Sequence, residues 1–265
     1  MVEVLQNIIQ FFSSAFYFPS LSWSLILVAV ALGILFGAVW LIPYWPPLVK
    51  RPWLWVVGIV SAGLTWTAIA FVQVPLQIWT GQALGSFWEQ AILIRWLLLA
   101  GIPQILLSGL VQEGAKLVPI AVYWRRSTGI FTPRFGLITG AVAGAGFGVF
   151  EAVWVHNTIF AAGWTWSIVE TGGFLALLGF WERFFTVAFH IAVSALAGYG
   201  LARGLGWQFY LIASFLHGAI NYSTVLLQSG LLTAVQLEIY ISALAVIITA
   251  AALWLRWRQG SITGR

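Results

Sequence analysis

The feature that most constrains this chain is its series of long apolar stretches, several of them reaching the ~20 residues that a membrane-spanning helix needs. In a bilayer, backbone N–H and C=O groups must be paired without help from water, which favours helices. The sequence therefore predicts an all-α, polytopic membrane protein with seven spans: Leu21–Ile42, Trp53–Gln73, about Trp88–Trp124, Pro133–His156, Phe174–Leu201, Trp207–Gln228 and Leu232–Trp254.

The composition supports this class. The residues are 61% hydrophobic and only 7% charged, whereas soluble domains are roughly 25% charged. The net charge of +5 would suit nucleic acid, but the basic residues lie at predicted helix ends, so we expect the membrane and no nucleic acid as partner. The absence of cysteine excludes disulfides and thiolate catalysis.

We expect one membrane domain, 1–265, with no separate soluble domain. Residues 1–20 are apolar and aromatic and contain Glu3 but no basic residue, which predicts an interfacial helix rather than a signal peptide. Residues 21–73 hold two predicted spans, 88–228 a four-span core with the motifs described below, and 232–256 the last span. The stretch 88–124 is too long for one straight span, so we expect Pro103 to kink it or to separate a surface helix from it.

The basic residues predict an orientation. Seven spans place one group of them on a single side of the membrane: Lys50, Arg51, Arg125, Arg126, Arg134, Arg203, Arg256 and Arg258. The opposite loops carry Glu170 and the region of Glu89 and Arg95, without a basic cluster. By the positive-inside rule, the N-terminus is outside and the C-terminus is cytoplasmic.

The third span carries charge in its middle. Glu113 and Lys116 lie inside the otherwise apolar run Ile102–Trp124, where a charged side chain costs on the order of 2.5–3.5 kcal/mol. At helical spacing the two side chains share a face and can neutralise each other. A structural ion pair is one interpretation. We favour a reactive carboxylate, because ionisable residues inside membranes usually mark functional sites.

Other spans bring polar groups to a similar depth. Counted from the predicted cytoplasmic ends at ~1.5 Å per residue, Glu113, His190 and His217 lie about 15–16 Å deep, Asn221 about 21 Å and Glu151 about 25 Å. A lone histidine in an apolar helix is usually a core residue. Several polar groups at one depth are different, because each would cost free energy if it were buried without a hydrogen-bond partner. We therefore predict that these five side chains line one polar cavity.

Glycines in the fourth span predict how these groups meet. Gly140, Gly144 and Gly148 recur every four residues, a pattern that allows close helix packing and would draw Glu151 into the bundle. Glu182 and Arg183 are neighbours and do not face each other on a helix, so we expect them to pair with other spans. We expect Glu238 and His156 to lie at the membrane interface, outside the site.

Four motifs occur in order on four successive predicted spans: Gln112-Glu113-x-x-Lys116, Gly144-x-x-Phe147-x-x-x-Glu151, Phe189-His190 followed by Ser194, and His217-x-x-x-Asn221. Together they resemble the PrsW and YhfC branches of the CAAX-protease and bacteriocin-processing superfamily of intramembrane proteases. The resemblance covers about Ser108–Leu226 and leaves out the first two spans. Each motif alone is weak, whereas their order, spacing and location in membrane helices make the set specific.

The resemblance implies an intramembrane endopeptidase that hydrolyses peptide bonds of membrane-anchored proteins. It implies that Glu113 is the base that activates water and that Lys116 is its basic partner. Glu151 matches the residue that closes the second motif, His190 and His217 match the two family histidines, and Asn221 matches the oxyanion-stabilising asparagine. One position departs from the pattern: Gln112 replaces the first glutamate of a pair, and glutamine neither accepts a proton nor neutralises a cation.

The residue types suit this chemistry in two ways. Peptide hydrolysis needs a base, a proton donor and oxyanion stabilisation, which Glu113, a histidine and Asn221 can supply without a cofactor. Alternatively, His190, His217 and Glu151 could hold Zn²⁺, with Glu113 acting on its bound water. The predicted cofactor is therefore either none or zinc.

Two other classes compete with a protease. The same superfamily resembles the anterior-pharynx-defective subunit of gamma-secretase, so a non-catalytic seven-span scaffold that binds transmembrane helices is the main alternative. A proton-coupled transporter also uses buried Glu and His, but the sequence has no evident inverted repeat. We favour the protease, with a membrane-anchored protein or peptide and the lipid bilayer as partners and a prokaryotic cytoplasmic membrane as its location.

Overall fold

The computed structural model describes residues 2–126 and 131–262, and these residues contain no strand. They form twelve α-helices: α1 Val2–Ser13, α2 Trp23–Leu41, α3 Trp53–Ala68, α4 Val74–Phe87, α5 Gln90–Arg95, α6 Leu97–Ala100, α7 Ile102–Arg126, α8 Pro133–Ala161, α9 Trp166–Gly172, α10 Leu178–Ala202, α11 Gly206–Gln228 and α12 Ala234–Ile262.

The predicted number of spans is confirmed. Within the described ranges, seven helical stretches are long and apolar enough to cross a membrane: Trp23–Tyr44, Trp53–Phe87, Leu97–Arg126, Pro133–Ala161, Trp166–Ala202, Gly206–Gln228 and Ala234–Arg258. The fold is therefore an all-helical bundle of membrane-spanning length.

The second stretch continues past its predicted end at Gln73. A π-helical segment, Ile69–Gln73, joins α3 to α4, and Pro75 lies in the first turn of α4. Proline lacks an N–H and its ring clashes with the carbonyl four residues earlier. The wider π turn just before it accommodates the proline without ending the helix, so the helix continues to Phe87.

The long stretch 88–124 is divided just before Pro103, so of the two expected outcomes the separation of short helices from α7 is found and the kink is not. The short helices α5 and α6 are separated from each other at Trp96 and from α7 at Gly101. Pro103 lies in the first turn of α7, where its missing N–H would have had no partner within the helix. It therefore marks the start of α7 rather than a kink.

The helices α8 and α10 cross at the predicted glycines. A Cβ atom added to Gly140 would collide with the backbone carbonyl of Ser194, and one added to Gly144 with that of His190. Only a residue without a side chain allows two backbones to approach this closely. The crossing therefore holds His190 against α8, the helix that carries Glu151.

Several predicted loop residues meet at one end of the bundle. The guanidinium of Arg51 lies 4.5 Å from the centroid of the Phe135 ring, which is 6.2 Å from that of Tyr123. Arg256 Nε donates a hydrogen bond of 3.0 Å to the carbonyl of Tyr44. These contacts bring together the ends of α2, α7 and α12 and the starts of α3 and α8. The positive-inside rule predicts that this end is cytoplasmic.

This orientation can be tested in a chain that has no cysteine of its own. Single substitutions Lys50→Cys and Arg126→Cys are expected to resist a membrane-impermeant thiol reagent in intact cells. Glu170→Cys, in the exposed helix α9, is expected to react and serves as the control. The opposite labelling pattern would reverse the predicted orientation.

Candidate active site

The charged pair of the third span forms the most deeply buried part of the site. Glu113 and Lys116 are each 1% exposed, and Lys116 Nζ donates to Glu113 Oε1 across one turn of α7. The ammonium lies 5.7 Å from the centroid of the Phe147 ring. Glu113 Oε2 is buried without a hydrogen-bond partner in the described part of the chain. Lys116 therefore holds Oε1 of Glu113, and Oε2 is left to accept a hydrogen bond or a proton.

His217 joins α11 to this pair. Its Nδ1 lies 2.6 Å from Glu113 Oε1. An ionised carboxylate only accepts hydrogen bonds, so Nδ1 carries the proton and donates it. The neutral ring then keeps its lone pair on Nε2, the atom that remains for a proton or a metal.

His190 connects the pair to α8. Its Nδ1 lies 3.1 Å from Lys116 Nζ, and its Nε2 lies 3.1 Å from Glu151 Oε2. Because an ammonium only donates, Nδ1 accepts and the proton sits on Nε2, which donates to Glu151. The rings of His190 and His217 lie 5.3 Å apart between centroids. Four helices thus contribute to one continuous polar network.

A cavity of about 260 Å³ adjoins this network and is lined by residues of α7, α8, α10, α11 and α12. Glu151, His190, His217 and Asn221 line it, as expected from their depth. Glu113 is not among the lining residues and lies behind the wall, against His217. The other polar lining residues are Gln112, Glu182, Arg183, Thr186, Ser223, Thr224 and Glu238.

Two amides attach α7 to its neighbours at this level. Asn221 Nδ2 donates to Ser108 Oγ at 2.9 Å, which uses one of its two N–H donors. Gln112 Nε2 donates to Gln73 Oε1 at 3.1 Å, at the end of the π-helical segment. Gln112 Oε1 is buried without a partner in the described residues.

Some expectations about the charged residues of α10 and α12 were wrong. Arg183 contacts Glu151 at 3.0 Å, as expected of a pair between spans, but it also contacts its neighbour Glu182. Glu238, expected at the interface, is only 7% exposed and lines the cavity. The packing of α12 on α10 turns it inward. No sequence pattern indicated this orientation, because it depends on how α12 packs against α10.

His156 was correctly expected to lie outside the site, but the expectation that it lies at the interface was wrong. It is fully buried, and its ring contacts those of Phe36 and Phe180 with centroid distances of 5.5 Å and 5.2 Å. It packs between α2 and α10 as a core aromatic residue.

The side chains of the network suit a metal ion chemically. One ligand atom each from Glu113, His190 and His217 lies within 4.8 Å of the others, and all three residues are buried. Glu151 is a second carboxylate in contact with His190. Histidine pairs with a carboxylate are typical ligands of catalytic zinc. His217 Nε2 already offers a lone pair, whereas the proton of His190 would have to move from Nε2 to Nδ1, beside Lys116, before Nε2 could bind a metal.

Comparison with known proteins agrees with the geometry. A family model described as PrsW family intramembrane metalloprotease matches residues 50–252, a range that includes every residue of the network. No curated protein and no solved structure shows significant similarity to the chain. The match confirms the PrsW resemblance, while the YhfC-like branch and the wider superfamily stay predictions. Because the match covers more than half of the sequence, the chain belongs to the PrsW family of intramembrane metalloproteases and is a protease.

Proposed function

We propose that this protease hydrolyses peptide bonds of membrane-anchored proteins within or close to the bilayer, with water as the nucleophile. The observation that carries the proposal is the buried network of Glu113, His190 and His217 beside a polar cavity. A protease that cleaved soluble peptides would not need an active site buried this deeply among membrane-length helices. The family assignment disfavours the scaffold hypothesis, since a scaffold has no use for a hydrolytic site.

Glu113 is the proton acceptor in this proposal. Lys116 and His217 both bind Oε1, so Oε2 is the oxygen left to take a proton. One ligand atom each of Glu113, His190 and His217 lies within 4.8 Å of the others, a separation that two hydrogen bonds of ~2.8 Å can span, so we place the attacking water among these atoms. Lys116 keeps the carboxylate ionised and in place between turnovers.

The remaining polar groups orient the His190 ring and stabilise the developing oxyanion. Glu151 and Lys116 hold the two nitrogens of His190 and so fix its ring. Asn221 lines the cavity and has one N–H donor beyond its bond to Ser108, which we assign to the developing oxyanion. The water oxygen bonds to the carbonyl carbon, the C–N bond breaks, and the proton held by Glu113 passes to the leaving nitrogen.

The family description and the donor set together favour a metal. We assign zinc to His190, His217 and Glu151, which line the cavity, and keep Glu113, the carboxylate with a ligand atom within 4.8 Å of both histidines, as the base. A bound zinc ion would polarise the substrate carbonyl and make a bound water more nucleophilic. Glu113, which accepts from Nδ1 of His217, would then orient that ligand from behind.

Metal content tests this assignment with a matched control. His190→Gln and His217→Gln are expected to lose bound zinc and peptide cleavage in detergent-purified protein. His156→Gln changes the third histidine of the chain, which is buried elsewhere, and is expected to retain zinc. Full cleavage by protein that elemental analysis finds free of metal would remove zinc from the mechanism and leave the role of Glu113 to be tested separately.

The substrate class and the location belong to the same proposal. A catalytic network enclosed by membrane-length helices favours a substrate that is itself anchored in the bilayer. We place the enzyme in a prokaryotic cytoplasmic membrane. A purified wild-type protein that cleaves no membrane-anchored segment, with or without zinc, would contradict the proposed function.

A further inference from the structure

The polar cavity extends from the histidines to a second group of charges, of which Glu182, Arg183 and Glu238 have no role in the proposed reaction. Glu151 and Glu182 both pair with Arg183. Glu238 lines the same cavity and has no ion pair among the described residues, and its Oε2 is buried without a hydrogen-bond partner. Three carboxylates and one guanidinium therefore line the same part of the cavity, and two of the carboxylates already share the guanidinium.

A second side chain independently indicates a missing donor. Gln112 belongs to α7, on another side of the cavity, and is only 6% exposed. Its Nε2 is used by Gln73, while its Oε1 is buried without a partner. Buried acceptors in native proteins nearly always have a donor. Two unsatisfied acceptors on one cavity call for a ligand that brings several donors and, beside Glu238, a positive charge.

The volume of the cavity limits what that ligand can be. About 260 Å³ is the volume of roughly nine water molecules at ~30 Å³ each. A transmembrane helix does not fit, whereas one extended side chain does. The lining runs from His190 and His217 to Leu227 and Ala234, where α11 ends and α12 begins, so we infer that a side chain would enter from that end.

We propose that this end of the cavity is a specificity subsite for a lysine or arginine side chain of the substrate, with Glu238 as its main determinant. The inference rests on the proposed protease function. Ammonium and guanidinium groups carry only donors, and their hydrogen bonds to a carboxylate are charge-assisted and stronger than neutral ones. The bound residue would lie on the side of the scissile bond that faces the turn between α11 and α12.

The test uses single-span reporter segments in liposomes with the full-length protein. The segments of a set differ at a single position, which carries Lys, Gln or Glu. This position is scanned along the membrane end of the segment. Wild type is expected to cleave the best Lys segment about tenfold or more faster than its Gln counterpart, as one charge-assisted hydrogen bond implies, and the Glu segment slowest. Glu238→Gln, which preserves side-chain size, is expected to bring the Lys-to-Gln ratio close to one.

Glu170→Gln is the matched control, because it removes an exposed carboxylate from α9 and is expected to keep the wild-type ratio. An unchanged ratio in folded Glu238→Gln overturns the assignment of Glu238. Wild type that cleaves Lys and Gln segments equally at every scanned position overturns the subsite itself, even if the variant fails to fold. Failure to cleave any segment counts instead against the proposed function.

Discussion

Glu113→Gln is expected to lower the turnover of peptide cleavage by roughly 10²–10⁴-fold, the usual worth of general base catalysis. Glutamine keeps the shape of the side chain and can still bond to Lys116 and His217, but it cannot take a proton from water. The protein is therefore expected to fold and to remain in the membrane. Turnover by purified protein, together with its thermal unfolding temperature, provides the measurement.

The size of the loss separates two roles for Glu113. Removing a group that only orients a metal-ligating histidine typically costs about 10–100-fold, and Glu113 does contact His217 Nδ1. A loss well above 100-fold with zinc content unchanged supports the role as base. A loss clearly below 100-fold, or turnover equal to wild type, contradicts it, and loss of zinc would make Glu113 a ligand.

Gln112→Glu is the companion change, because it restores the glutamate pair of the family pattern. Gln112 lines the cavity and bonds to Gln73, whose amide can rotate to donate to a carboxylate. If the glutamine weakens the site, the substitution is expected to raise turnover. Unchanged turnover in the same assay would mean that the departure at this position is tolerated.

Gly144→Ala is expected to prevent correct assembly of α8 and α10. The added methyl group would overlap the backbone carbonyl of His190, and backbone cannot move aside as a flexible side chain does. Overpacking of a core typically costs about 1–3 kcal/mol, occasionally more, a large fraction of a stability of ~5–15 kcal/mol. The shift also moves His190 relative to Glu151, so we expect cleavage to be lost even in protein that stays folded.

The same substitution at Gly63 gives the control. Gly63 lies on α3, and an added Cβ there meets no atom within 4 Å. Alanine is the better helix former by up to ~1 kcal/mol, so Gly63→Ala is expected to be neutral or slightly stabilising in thermal unfolding. Equal stability and activity of the two variants would show that α8 and α10 are not packed backbone to backbone.

Hydropathy alone determined the class of the protein and its seven spans, because the apolar length needed to cross a bilayer is a one-dimensional property. Local spacing also predicted the pairing of Glu113 with Lys116, which lie three residues apart on one helix. The glycine pattern likewise predicted that α8 approaches another helix closely, because a residue without a side chain lets two helix backbones come together whichever helix is the partner.

The pairing between helices was decided by the tertiary structure. Counting residues from a membrane surface gives the depth of a side chain but not the direction in which it points. Depth therefore brought Glu113, His190 and His217 to one level, but it did not show that Glu113 lies behind His217. It also did not show that Glu238 turns inward or that His156 packs in the core. The rotation of each helix about its axis depends on contacts with residues distant in sequence, such as Gly144 against His190, and no local pattern encodes those contacts.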